Sequence, residues 1–490
     1  MSRSSRLPLR GALAVCLLVG SGLWAEPPAG GPTGQQRALQ ALERSLEAHG
    51  GKAAEEGLRI GLTLRSDFAN DGQSHTAEAP FERYPNRIEA KIDRPAGRSV
   101  LWMDSSIAGD FRFTERVALQ NGKGFSLTPE MKTYREVTAE PPFLNRFFPH
   151  RLLQPALQNP ELLQWVGEEG GLDVVSFTPS SGPAVRLHLD RATHLLRKFE
   201  QKGPMGAVGD GVRELEFEGY RKVGALMLPS RMTIRNRNAV HGVVENVFVY
   251  EGVTTGPVFD PKEFELPPGS VKEDYSYRGS FAVRTLAEGV HLLENVTATT
   301  GQWSYNVLVV AFDDAVLVAE APVSGAVSDR VLEKIREIAP GKPVRYLVQS
   351  HHHGDHLGGI RTYIAEGTTI LAGAGTARLI EKIAKAPFEL APDRLHKNPR
   401  DLKIEIVRKT RSIRHGGREV VIYDIGPSPH AQDMLFVYLP KEQILYQSDL
   451  VNDGEYPENE TTRHFLSRLG ELGLKVKTLA GLHGKIRTPS

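Results

Sequence analysis

The chain has 490 residues, 40% of them hydrophobic and 24% charged, with a formal net charge of +1. That length allows two or three domains, and the mix is that of a globular rather than a disordered chain. Near-neutrality offers no electrostatic footprint for nucleic acid, which argues against a nuclease.

At the N-terminus, Arg3, Arg6 and Arg10 precede an apolar run, Gly11 to Trp24, and Ala25 offers a small residue for cleavage ahead of Glu26. This predicts a secretory signal over residues 1–25 and a periplasmic or secreted protein; a retained anchor is the other reading. Cys16 lies in the middle of the run, not at its end where a lipidation site belongs. It is the only cysteine, so cleavage would leave a chain with no thiol. Any metal site must then be built from histidine and carboxylate. Loss of the three arginines leaves 57 basic against 59 acidic residues. No later stretch reaches the roughly 20 apolar residues of a membrane span, so membrane contact beyond export is not expected.

Glu26 to Gly34, rich in Pro and Gly, reads as a flexible leader. Leu39, Leu42 and Leu46 recur at helical spacing within Gln35 to His49, and Gly50-Gly51 should end that helix. From about Leu58 to Glu251 short alternating segments take over, such as Leu215 and Phe217, Met232 and Ile234, and Val247 and Val249. Asn70-Asp71-Gly72 and Asn121-Gly122 are strong turn signals between them, and Asp190-Arg191 a weaker one. The pattern predicts an antiparallel sheet with one buried face. Phe143 to Trp165 interrupts it with a helical stretch broken by Pro149, Pro155 and Pro160, whose Phe143, Phe147 and Phe148 read as core.

A mainly antiparallel β-sheet domain over 26–270 is therefore expected, followed by a polar linker, 271–279, and a second domain over 280–490. In the latter, Val307 to Phe312, Val316 to Ala319 and Val344 to Val348 are strand-like runs. Val331, Ile335 and Ile338 recur at helical spacing between them. Alternating strands and helices indicate an α/β domain.

The chemistry concentrates in Ser350-His351-His352-His353-Gly354-Asp355-His356-Leu357-Gly358-Gly359, directly after the run Val344 to Val348. On an extended segment His351 and His353 point the same way and can grip one ion, whereas His352 points away and is read as a non-ligand. Asp355 and His356, at the helix entry, can turn to a second ion nearby. The glycines should permit the tight strand-to-helix turn. Three further candidates each end or adjoin an apolar run: His430 in Pro429-His430-Ala431, Asp449 after Ile444 to Ser448, and His483 in Leu482-His483-Gly484. An α/β scaffold gathers such strand-end residues at one edge. A histidine-rich surface turn is the bland alternative. The N-terminal histidines, His75, His150, His188, His194 and His241, show no ligand spacing and read as ordinary surface or core residues.

The pattern H-x-H-x-D-H, followed by H, D and H at long spacings, resembles the metallo-β-lactamase superfamily over roughly Ser280 to the end. Glu320 stands where that family usually has Asp. The resemblance implies a four-layer αββα sandwich with metals at one edge. It implies that His351, His353 and His430 hold a first ion, that Asp355, His356 and His483 hold a second, and that Asp449 bridges them. Glu320 would support this set by hydrogen bonding. A bridging Asp is similar to glyoxalase II-like and lactonase-like members, and β-lactamases lack it, which argues against β-lactam hydrolysis as the main activity. All-N/O donors suit two Zn2+ ions, and iron or manganese also accept them. Two such ions about 3.5–4 Å apart would bring the pKa of a shared water towards ~7 for attack on a carbonyl, with Asp355 taking the proton.

The expected function is thus an exported dinuclear zinc hydrolase acting on a small-molecule ester, thioester, lactone or amide. A mononuclear iron dioxygenase of the same superfamily is the alternative enzyme, and a non-catalytic periplasmic metal or lipid carrier the alternative binder. In the N-terminal part, Gly122 to Phe125 and Tyr220 to Pro229 resemble the curved sheets of outer-membrane lipoprotein-carrier-like domains. Such a sheet's concave apolar face could hold a lipid or hydrophobic peptide, or pack on the catalytic domain, and packing is the expectation. The segment Ala386 to Asp401 is read as a loop bordering the metals. The sequence leaves the oligomeric state unknown.

Overall fold

The computed structural model describes residues 32–107, 111–179, 182–273, 281–297, 305–451 and 459–488. The expected signal segment with Cys16, residues 26–31 of the leader and residues 274–279 of the linker lie outside the described residues. Among those described, no helix is long and apolar enough to cross a membrane. The architecture is mixed α/β with extensive sheets and few helices.

Alternation drives the N-terminal part into one fourteen-stranded sheet, antiparallel except where Val271–Lys272 pairs in parallel with Thr133–Val137. Asn121 and Gly122 take φ of 52° and 73° and close the hairpin they announce. Ile60, Leu62 and Leu64 mark the inward face. It is filled by the helix Pro32–Ala48, through Ala38, Ala41 and Leu42, and by Phe147, Phe148, Leu153 and Ala156 of the segment 142–158. The expectation that this face packs on the catalytic half is corrected: the chain's own helices cover it. Each phenylalanine buried there contributes about 2–3 kcal/mol. The Gly50-Gly51 stop holds only as a kink, with a short helix Gly51–Glu56 following it. Pro149 opens the helix Pro149–Gln158 and Pro160 a single turn, while Trp165 falls in the strand Leu163–Glu169, under the Arg37 guanidinium.

Asn70-Asp71-Gly72 makes the turn it signals, with Gln73 N–H on Asn70 O at 3.0 Å. It opens a loop, residues 70–82, between the paired strands Arg59–Ala69 and Arg83–Asp93.

The C-terminal part contains a seven-stranded and a five-stranded sheet. In the first, Val316–Ala319, Val344–Val348, Thr369–Ala372 and Lys403–Ile406 run in parallel, and the strands before them are antiparallel. In the second, Ile444–Gln447 and Thr478–Gly481 are parallel. Val310, Val318 and Leu347 of one sheet share a core with Ile422, Val437 and Tyr446 of the other. The helices Gly325–Ile338 and Ala374–Lys385 add Val331, Ile335, Leu379 and Ile380 to that core. Phe465, from the helix Glu460–Leu472, packs with Phe436 and Leu445 in a separate cluster.

The two parts meet along a seam. Ala77 and Val240 are buried in the C-terminal core. Glu78 pairs with Arg378 and Lys382 at 2.9 and 2.6 Å. The Asp210 carboxylate accepts from the backbone N–H groups of Glu389 and Leu390, so the segment Ala386 to Asp401 is engaged with the N-terminal part.

Candidate metal centre

The candidate residues lie where strands end. The turn His351 to His356 follows Val344–Val348, Glu320 follows its parallel neighbour Val316–Ala319, Asp449 follows Ile444–Gln447, and His483 follows Thr478–Gly481. His430 sits between Arg418–Asp424 and Leu435–Leu439. Leu435 N–H donates to Ser350 O at 2.9 Å, stitching one sheet's end to the other's. Asn306 donates to Gly481 O and Gly484 O at 3.1 and 3.0 Å and fixes the turn carrying His483.

All seven sequence-predicted residues converge. One ligand atom each from His351, His353, His430 and Asp449 lie within 4.8 Å of one another, and so do those of Asp355, His356 and His483. These groups can hold metal ions. Asp449 is the hub: its Oδ2 is 3.0 Å from His356 Nε2, 3.3 Å from His430 Nε2 and 3.7 Å from His351 Nε2, and its Oδ1 is 3.3 Å from His483 Nε2. Its φ of 56° is a costly left-handed conformation. The Gln447 side chain accepts from the N–H groups of Leu450 and Val451 and holds that turn.

The fit to cations shows in which atoms are satisfied. His351 Nε2, His353 Nδ1, His356 Nε2, His430 Nε2 and Asp449 Oδ1 are buried without a hydrogen-bond partner among the described residues. Buried polar atoms rarely go unpaired, so five of them facing one space call for an electropositive group. The other ring nitrogens are engaged: His351 Nδ1 with Ser350 Oγ at 2.9 Å, His356 Nδ1 with Ser448 Oγ at 3.0 Å, and His353 Nε2 with Ser74 O at 3.0 Å. This division between an inward and an outward nitrogen is what metal-binding imidazoles need.

Burial holds His351 and His353 well below the ordinary imidazole value, in the neutral form that can ligate. Burial opposes ionisation of Asp449, but the imidazoles of His356 and His483 outweigh it and lower its carboxyl. Asp355 is likewise lowered against burial by His356. Burial disfavours charge on His356, and the carboxylates of Asp449 and Asp355 overcome it and raise it.

His352 points away, as expected: its Nε2 meets Ser74 O at 2.7 Å, and burial pushes it down to about 4. Glu320 is buried at φ 80°, accepts from Gln349 Nε2 at 3.0 Å and from Ser350 N–H at 3.3 Å, and lies 3.6 Å from His356 Nδ1, which suits the expected support. The glycine expectation needs correction. Gly358 is ordinary helical backbone, but a Cβ on it would lie 2.0 Å from Val323 O, and one on Gly359 2.9 Å from Ser324 O. The pair serves close approach rather than an unusual turn.

Sequence reasoning missed four participants. Tyr305 donates to Asp355 Oδ2 at 3.0 Å and sets its ring edge-on to His483. Ser448 meets His356 as above. Gln73 and Ser74 come from the N-terminal loop. His75 is not a bystander either, since its ring meets Ser428 O at 2.9 Å and its carbonyl accepts from Gln432 N–H beside His430. His241 lines a cavity at the seam together with His352 and Arg213. Only Ser448, adjacent to Asp449, carried a local signal.

No family model matches this chain. No curated protein matches it. Among solved structures, a metallo-beta-lactamase from Pontibacter korlensis is 18% identical at a TM-score of 0.33, covering 43% of this chain and 94% of its own. The DIM-1 metallo-beta-lactamase is 20% identical at a TM-score of 0.32, over 42% of this chain and 91% of its own. The same enzyme exposed to ceftazidime gives 21% and 0.31, over 42% and 90%.

Proposed function

We propose that this chain is an exported metal-dependent hydrolase carrying two divalent ions, zinc foremost, and acting on a small-molecule ester, thioester, lactone or amide. The domain reading goes with it: an N-terminal β-rich unit over 26–270 and a catalytic αββα sandwich over 280–490. The observation that carries the proposal is the convergence of five imidazoles and two carboxylates, with the inward nitrogens of His351, His353, His356 and His430 buried and without a hydrogen-bond partner among the described residues.

His351, His353 and His430 would hold one ion, Asp355, His356 and His483 the other, and Asp449 both. When bound, such a pair supplies water acidified towards neutrality and a polarised carbonyl. The chain's residues do the rest. Ser350, Ser448 and the Ser74 carbonyl orient three of the imidazoles. Asp355, ionised and 30% exposed, can accept a proton, although donors on both its oxygens weaken it as a base and favour its ligand role. Asp449, by its position among both groups, favours the ester, thioester and lactone classes over β-lactams.

Elemental analysis of the mature protein, joined to a panel of esters, thioesters, lactones and amides, tests this. Two zinc ions with turnover is the expected result. One iron and no zinc would replace hydrolysis by oxidation, and full loading without turnover would leave a carrier.

A further inference from the structure

The loop of residues 70–82 belongs by connectivity to the N-terminal sheet, yet its tip is spent on the metal cluster. Gly72 O accepts from Gly354 N–H at 2.9 Å. Gln73 Nε2 donates to Asp355 Oδ1 at 2.6 Å across 282 residues of sequence. Ser74 O lies 2.7 Å from His352 Nε2 and 3.0 Å from His353 Nε2. We propose, resting on the two-ion reading above, that this loop is a positioning element of the centre: Gln73 sets Asp355 and the Ser74 carbonyl sets His353. The N-terminal half would then be part of the site, not an appendage to it.

A carbonyl can only accept a hydrogen bond. Ser74 O therefore fixes the proton of His353 on Nε2 and leaves Nδ1, the buried unpartnered atom, as the one that can ligate. A carboxylate without a tether presents either oxygen. The Gln73 amide engages Oδ1 and the Tyr305 hydroxyl Oδ2, which faces His356 Nε2 at 3.4 Å within the second group of candidate ligands. Gln73 is not what keeps the loop in place. Ala77 is buried in the C-terminal core, and Glu78 is held by Arg378 and Lys382. The His352 imidazole, no ligand itself, ties down the carbonyl shared with His353. Docking and positioning thus use different residues and can be separated.

The test is zinc affinity rather than turnover. Full-length protein stripped of metal is titrated with Zn2+ against a chromophoric chelator, as wild type, Gln73→Leu and Glu78→Ala. Gln73→Leu is expected to weaken one of two zinc ions by about 10–100-fold and leave the other within about twofold. Glu78→Ala, which cuts an exposed tether but keeps Gln73, is expected to leave both within about twofold. If Gln73→Leu does not fold, Gln73→Asn, an amide on a shorter stem, is read in its place. Wild-type affinity for both ions in the Gln73 variant overturns the proposal, as does an equal loss in Glu78→Ala, which would make docking the whole effect. A wild type that takes up no zinc sinks the two-ion reading, and the inference with it, whatever the variants do.

Discussion

Replacing Asp449 by Asn changes the charge of the centre and little else. The residue sits at φ 56°, a region that Asn tolerates better than most side chains, so the turn can keep its shape. Its oxygens lie between 3.0 and 3.7 Å from four imidazole nitrogens. A divalent cation seated among those nitrogens lies within roughly 4 Å of the carboxylate, where each unit of its charge interacts by about 4 kcal/mol at an effective dielectric constant of about 20. A single unit already corresponds to about a thousandfold in affinity, so the loss should be at least that large. Competition with a chelator of known strength measures the loss, and elemental analysis after desalting should find fewer than two ions per chain. Hydrolysis should fall with the metal content. Retention of two ions at wild-type affinity by D449N would refute the placement of this carboxylate between the two groups.

Tyr305→Phe removes the hydroxyl on Asp355 Oδ2 but keeps the ring beside His483, so zinc affinity or turnover should drop about tenfold with little change in melting temperature. Gly358→Ala would drive a Cβ into the Val323 carbonyl, which cannot yield as a side chain can; a loss of about 1–3 kcal/mol in thermal or urea unfolding is expected, with metal uptake impaired because Val323 N–H holds Asp355 O. His49 accepts from Leu196 N–H through Nε2 and meets Met227 O through Nδ1, and burial lowers it from 6.5 to about 4. The folded state therefore binds the proton less readily than the unfolded one. The stabilisation is complete above about pH 6.5 and is lost as pH falls towards about 4, by up to about 3 kcal/mol. The difference in melting temperature between wild type and His49→Gln should shrink over that window; a difference independent of pH would contradict it.

The centre was legible because its chemistry is local in sequence at one point and ordered along the chain elsewhere. His351, His353, Asp355 and His356 announce a chelating turn, and His430, Asp449 and His483 each end or adjoin an apolar run that becomes a strand. Alternation likewise revealed the N-terminal sheet. It could not say what covers the buried face, because Ile60, Leu62 and Leu64 alternate in the same way whether a helix, a lipid or another domain lies over them. The turn at Asn70 was legible, but the course of the loop beyond it was not. Asn-Asp-Gly is a statement about local backbone preference, while the course of this loop is decided by Gly354, Asp355, His352 and His353, far along the chain. Tyr305 escaped notice because a lone tyrosine before a strand has no spacing to betray it.

That the cluster draws on Gln73 near one end and His483 near the other has a bearing on biogenesis. Contacts of such long sequence separation form late, since closure of a large loop must be borne before the contact rewards it. His483, the last imidazole, reaches the cluster through the strand Thr478–Gly481 laid beside Ile444–Gln447. Capture of the ions is therefore expected to close the maturation of this protein rather than to nucleate it.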